Sequence, residues 1–320
     1  MNIRRRTLLQ ALGAATLLGP AAAHAQAYPG KPIRIVHGYD NGSNPDTVSR
    51  IISPSLTERL GQTIVTEPRP GAGGRIATAY VATQEPDGYT LMMLTAGDTV
   101  IAATDPKLSY DLLRDYAFIT TVVEFPFILM VPAESPIKTL RDLINAAKAS
   151  PGKLTFATPG VRTTQHLSGE LFKLTAGIDL LHVPFKGSAF TDLIGGRLDS
   201  LIAAPAVSTP QIKGGKVRAI AVTGRQRLET FPDLPTFAET LPGFEVYSWL
   251  GLGAPAKTPA AVVERLGSEV RTVIAQEAVR AKLLATGSLV GGSTPEAFRA
   301  RAEADIRKWK GLAEKVKLDA

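Results

Sequence analysis

The chain has 320 residues, with 36 Lys+Arg against 29 Asp+Glu, 44% hydrophobic and 20% charged residues, and no cysteine. That is an ordinary globular composition with length for about two domains, and the missing cysteines exclude disulfides, thiolate metal sites and a cysteine nucleophile. Beyond residue 25 the positive charges are spread without a basic run or interleaved aromatics, which argues against a nucleic-acid groove.

The first predicted element, residues 1–25, reads as an export signal. Arg4, Arg5 and Arg6 precede an uncharged run from Thr7, and Ala23-His24-Ala25 is a small-residue cleavage pattern. Arg5-Arg6-Thr7-Leu8-Leu9-Gln10 also resembles a twin-arginine signal, so general or twin-arginine export stays open, with an uncleaved anchor as the alternative. Gln10, Gly13 and Pro20 make the run a poor membrane span. Cleavage leaves 295 residues and a net charge of +4, and predicts a periplasmic protein. Without a cysteine to acylate, no lipid anchor is expected.

Downstream, short β-like runs alternate with amphipathic helical ones, the pattern of an α/β chain with mainly parallel sheets. Strands are predicted at 33–37, 63–67, 90–94, 117–123, 127–131, 154–157, 180–183, 200–203, 219–222 and 245–252. Helical spacing covers 47–60 through Val48, Ile51, Ile52, Leu56 and Leu60, then 260–276 and 295–316. Two long apolar extended stretches, 117–131 and 244–252, interrupt the rhythm. If both cross between lobes, lobe one is 26–124 plus 249–320 and lobe two is 125–248; a single doubly wound domain is the alternative.

No G-x-S-x-G elbow, H-E-x-x-H helix or G-x-x-x-x-G-K-[ST] loop occurs, and His37, His166 and His182 lack metal-pair spacing, so no catalytic set, metal or cofactor is expected. Gly71-Ala72-Gly73-Gly74-Arg75-Ile76 follows a strand as a dinucleotide fingerprint would. Its sixth position is Ile, which favours a structural turn. Several strand-to-helix junctions are rich in Gly, Ser, Thr and Asn, where free N–H groups of a helix start can hold an anion. They are Tyr39 to Asp46, Thr95 to Thr99, Thr158 to Gln165, Pro184 to Ser188 and Ala204 to Ser208. Asp46 is either a ligand contact or a helix cap. Lys186 or Arg162 could supply positive charge.

Four longer motifs carry a family resemblance: Glu67-Pro68-Arg69-Pro70-Gly71-Ala72-Gly73-Gly74, Pro86-Asp87-Gly88-Tyr89-Thr90-Leu91, His182-Val183-Pro184-Phe185-Lys186-Gly187-Ser188 and Leu241-Pro242-Gly243-Phe244-Glu245-Val246. In order and spacing they resemble the substrate-binding proteins of tripartite tricarboxylate transporters, the Bug group, from Tyr28 to the C-terminus. The resemblance implies a two-lobed, type II-like periplasmic-binding-protein fold with two crossover strands. It implies a monomer that closes on a small organic acid, catalyses nothing and delivers its ligand to membrane permease subunits. A ligand-sensing adaptor for a signalling system is the alternative. Carried over by position, the family's site falls on Tyr39, Gly42, Ser43, Asp46, Thr95, Asp98, Thr99, Thr158, Gly160, Thr163, Thr164, Lys186, Gly187, Ser188, Pro205 and Val207. The chain departs from the family at Asn41-Gly42 and is one residue longer at Asn44-Pro45; the stretch 186–192 is short, and Ala203-Ala204 replaces a polar pair. Asp40 and Asp98 add acids near the mouth, which would favour a ligand that also carries an amine or hydroxyl.

Overall fold

The computed structural model describes residues 28–316, so the signal at 1–25 lies outside the described residues. The chain opens with β1 (Ile33–His37), α1 (Asn44–Leu60), β2 (Ile64–Pro68), a 3-10 turn (Ala72–Gly74), α2 (Arg75–Ala82), β3 (Thr90–Thr95) and α3 (Ala96–Thr104). β1 pairs parallel with both β2 and β3. Such strands are covered on both faces and read as continuous apolar runs, and all six residues of β3 are buried. α1 packs Val48, Ile52, Leu56 and Leu60 into the core that holds Ile33 and Ile35. Pro45 fits its first turn because the N–H it lacks has no helical partner there. That tolerance explains why α1 starts at Asn44, three residues before the periodicity begins.

β4 (Tyr116–Pro126) ends the first passage, and the chain enters a second sheet through Phe127 at β5 (Ile128–Pro132). There follow α4 (Leu140–Ala149), β6 (Thr155–Thr158), α5 (Thr164–Ala176), β7 (Leu181–Pro184), α6 (Phe190–Ile194), β8 (Ser200–Ala203), α7 (Pro205–Lys213) and β9 (Val217–Val222). The return passes Phe244 and Val246 into β10 (Tyr247–Pro255), then α8 (Ala260–Ala275), α9 (Glu277–Ala285), β11 (Leu289–Val290) and α10 (Pro295–Ala313).

Two mixed sheets result, a six-stranded one in the order β11-β4-β10-β3-β1-β2 and a five-stranded one in the order β7-β6-β8-β5-β9. This is the expected two-lobed α/β architecture, but the sheets are not mainly parallel as expected, because β10 runs against β3 and β4, and β5 against β8 and β9. The two sheet changes are held side by side. Tyr247 pairs with Pro126 at the end of the β10–β4 ladder. Thr223, just past β9 and fully buried, bonds both passages. Its N–H donates to the Phe127 carbonyl at 2.9 Å and its carbonyl accepts from Val246 N–H at 2.9 Å. Its hydroxyl accepts from Phe127 N–H at 2.8 Å and donates to the Val246 carbonyl at 2.7 Å.

The expected strands are all present, with ends displaced by up to three residues. β11, two residues long, was missed because so short a run carries no alternation. Among the described residues no helix is long and apolar enough to cross a membrane.

Candidate functional site

The junctions singled out above follow the carboxyl ends of β1, β3, β6, β7 and β8, where open α/β sheets place their ligands. On the first lobe, Gly38 leaves β1 against the backbone of Gly74. Tyr39 donates its hydroxyl to the Gly73 carbonyl at 3.0 Å, and burial pushes that hydroxyl's pKa up, with Asp98 adding to the shift. Ser43 is the N-cap of α1 and makes no capping bond through its side chain. Its Oγ and both polar atoms of Asn44 are buried without a protein partner, and Asn44 is 7% exposed.

Asp46 faces inward. It accepts from Gly42 N–H at 2.9 Å and from Arg50 Nε at 2.9 Å, with His37 Nε2 at 3.4 Å. Burial works to raise its pKa, but Arg50 and the Gly42 N–H together hold the carboxyl below its ordinary value. Asp98 is likewise internal. It accepts from the Thr78 hydroxyl at 2.6 Å and from Thr95 N–H at 2.7 Å, closing a capping box on α3. Burial pushes its carboxyl up, against these bonds. Thr99 donates its hydroxyl to the Ala96 carbonyl at 2.7 Å. Asp98→Asn would set an amide against hydrogen-bond donors, so it should lower stability by about 2 kcal/mol while leaving ligand preference unchanged. Urea denaturation and a ligand panel read the two effects separately.

On the second lobe, Thr163 caps α5: its Oγ1 accepts from His166 N–H at 3.2 Å and donates to the Gly160 carbonyl at 2.9 Å. Thr158 Oγ1 donates to the Gly160 carbonyl at 3.1 Å. Thr164 opens α5 with its Oγ1 buried and unpartnered. Arg162 precedes the cap with φ +57, and its Nε is buried without a partner. Pro205 starts α7 and is buried, and Val207 is partly buried behind it. Lys186, Gly187 and Ser188 are exposed and stand at the mouth. A Cβ on Gly187 would lie 3.6 Å from Asp40 Oδ2 on the first lobe.

The two sets meet. A Cβ on Gly73 would lie 3.1 Å from the Val161 carbonyl oxygen, and one on Gly97 would lie 3.2 Å from Tyr39 OH and 3.9 Å from Thr164 N. The starts of α3 and α5 therefore oppose one another beside the Tyr39 hydroxyl. Helix starts carry partial positive charge and free N–H groups, so the pair suits an anion. Asp46, Asp98 and Thr99 support this surface from behind. Asn44 was missed as a site residue, although the extra length of its loop was the available signal, and Arg162 was weighed only as a source of charge. Among the described residues no cluster of His, Asp and Glu could hold a metal. A cavity of about 740 Å³ lined by Lys138, Arg218, Phe231 and Asp233 shares no residue with these loops.

Known proteins share this fold. A family model described as the tripartite tricarboxylate transporter family receptor matches residues 48–318. R. palustris Rpa4515, solved with adipate, is 33% identical with a TM-score of 0.86, over 90% of this chain and 97% of that one. The periplasmic binding protein BugD is 31% identical with a TM-score of 0.86, over 91% and 99%. MatC of Rhodopseudomonas palustris, solved with bound malate, is 30% identical with a TM-score of 0.84, over 89% and 99%.

Proposed function

The chain belongs to the tripartite tricarboxylate transporter receptor family, and from that premise we propose that it is a periplasmic receptor for a small organic acid, which it passes to the membrane permease of such a transporter. Its relatives are periplasmic binding receptors and not enzymes. The reading is carried by one observation: the starts of α1 and α5, one on each lobe, hold buried side-chain groups at Ser43, Asn44 and Thr164 that no protein atom satisfies. Burying such groups unpaired is costly, so a bound ligand or its water must complete them.

In this reading residues 1–25 are removed on export, and the ligand lies between lobe one (26–124 plus 249–320) and lobe two (125–248). One carboxylate sits at the α1 start, on the side chains of Ser43 and Asn44, with Gly42 allowing close approach, and the rest of the acid faces Tyr39, Thr158, Gly160, Thr163 and Thr164. Pro205 and Val207 wall the cleft, and Lys186 to Ser188 rim it. A ligand that touches both lobes stabilises the closed form and shifts its population, and the permease reads closure. Micromolar affinity corresponds to about 8 kcal/mol, within reach of a few charge-assisted hydrogen bonds after association costs.

Thermal-shift screening of the exported chain against organic acids, amino acids and nucleotides tests the reading, with calorimetry on each hit. One or more carboxylates should raise the midpoint, and Thr164→Val should weaken their binding by about tenfold. A chain stabilised by nucleotides and by no acid would end the proposal.

A further inference from the structure

Behind the Thr158 to Thr164 loop two imidazoles lie face to face. His166 of α5 and His182 of β7 stack with centroids 3.9 Å apart and planes 14° apart, and Phe156 covers His182 at 4.8 Å. His166 is 1% exposed. Both rings bond to the loop itself. Arg162 N–H donates to His166 Nδ1 at 3.1 Å. That nitrogen therefore carries no proton, and the ring hydrogen lies on Nε2, which faces Glu170 Oε1 at 3.9 Å. Lys173 Nζ stands 3.1 Å from the same carboxylate oxygen. On the other ring, His182 Nε2 lies 2.7 Å from Thr158 Oγ1. With the Thr158 hydroxyl donating to the Gly160 carbonyl, it accepts from His182, whose Nε2 then carries a proton.

We infer that His166 and His182 are positioning residues for ligand binding: as a stacked pair they fix both ends of the 158–162 turn, so that Thr163 and Thr164 face the ligand. The inference rests on the receptor reading above. Arg162 has a left-handed backbone, which residues other than glycine adopt rarely, and its N–H is held there by His166. The ring cannot take a second proton without setting one N–H against another. Burial, and then the charges of His182, Lys173 and Arg162, agree with this, holding the His166 pKa down to about 3.

Nitrogen-15 NMR of the histidine rings at neutral pH reads the tautomers directly, without ligand. A proton on Nε2 of both rings and none on His166 Nδ1 is expected, and a proton on His166 Nδ1 or a bare His182 Nε2 overturns the inference. Calorimetry with adipate and malate reads the consequence. His166→Leu, which has no acceptor, should bind at least about tenfold more weakly. His166→Asn, whose amide oxygen can take the place of Nδ1, should stay within about threefold of the parent. Equal binding by the leucine variant and the parent, or equal loss in both variants, overturns the positioning role. If the leucine variant fails to fold, His182→Phe replaces it, keeping the stack and losing the bond to Thr158. Should the parent bind neither acid, the choice of ligand fails, and the tautomers alone decide the positioning role.

Discussion

A single methyl group at Gly38 is expected to cost about 3 kcal/mol of stability and most of the affinity for any acid. A Cβ there would lie 2.3 Å from Gly74 Cα and 2.9 Å from the Gly74 carbonyl oxygen. Both neighbours are backbone, so no side chain can rotate away, and the whole 72–74 turn would have to lift off β1. Lifting it would pull the Gly73 carbonyl from the Tyr39 hydroxyl and shift the surface that meets Val161. Gly42→Ala is the matched control: nothing lies within 4 Å of its Cβ position, and only its φ of +77 is strained. That strain costs about 1–2 kcal/mol. Urea denaturation of both variants decides the matter, since equal midpoints for Gly38→Ala and the parent would contradict the close approach.

Acid should destabilise the protein before its carboxylates titrate. Burial holds the His166 pKa down to about 3 in the folded protein, against an ordinary imidazole value of about 6.5, so the unfolded chain binds the proton more readily. Its contribution is complete above about pH 6.5 and is lost as pH falls toward about 3, at up to about 1.4 kcal/mol per pH unit and about 5 kcal/mol over the interval. His37, lowered chiefly by burial, acts in the same direction. Asp98, raised by burial, acts against it. Asp46 is lowered, so its share is present above its unfolded value of about 3.8 and is lost at still lower pH. Denaturant midpoints between pH 7 and 4.5 therefore read the histidines against the opposing share of Asp98. His166→Asn should flatten the slope there, and an unchanged slope would show that the ring is not held neutral.

Much of this was legible in the sequence because the signals are local. β1 and β8 were bounded to the residue by runs of apolar residues between turn formers, and the helix at 260 to within one residue by its apolar stripe. The loops that meet at the cleft were legible as well, since each is a Gly- and hydroxyl-rich end of a parallel strand. The direction of the side chains within them was not. Asp46 read as a ligand contact or a helix cap and Asp98 as an acid near the mouth, but a carboxylate in the first turn of a helix can bend back to the N–H groups before it. Thr95-Ala96-Gly97-Asp98 already has the spacing of a capping box, a cue that outweighs the appeal of a ligand contact. Asn44 seemed an insertion because nothing in one sequence says where α1 begins. Longer-range partners have no local signature at all: His166 and His182 stack from a helix and an edge strand, and Thr223 reaches passages on both sides of it in the chain.

The clasp made by Thr223 also bears on how many shapes the unliganded receptor can adopt. Two independent linkers would let the lobes slide, splay and twist. Passages joined by four hydrogen bonds at one buried residue would move as a single ribbon, which leaves essentially one rotation between the lobes. An open state confined to one degree of freedom has little conformational entropy to lose when it shuts. More of the contact energy between ligand and cleft would then remain as affinity, and a site with few charged side chains could still bind a small acid well.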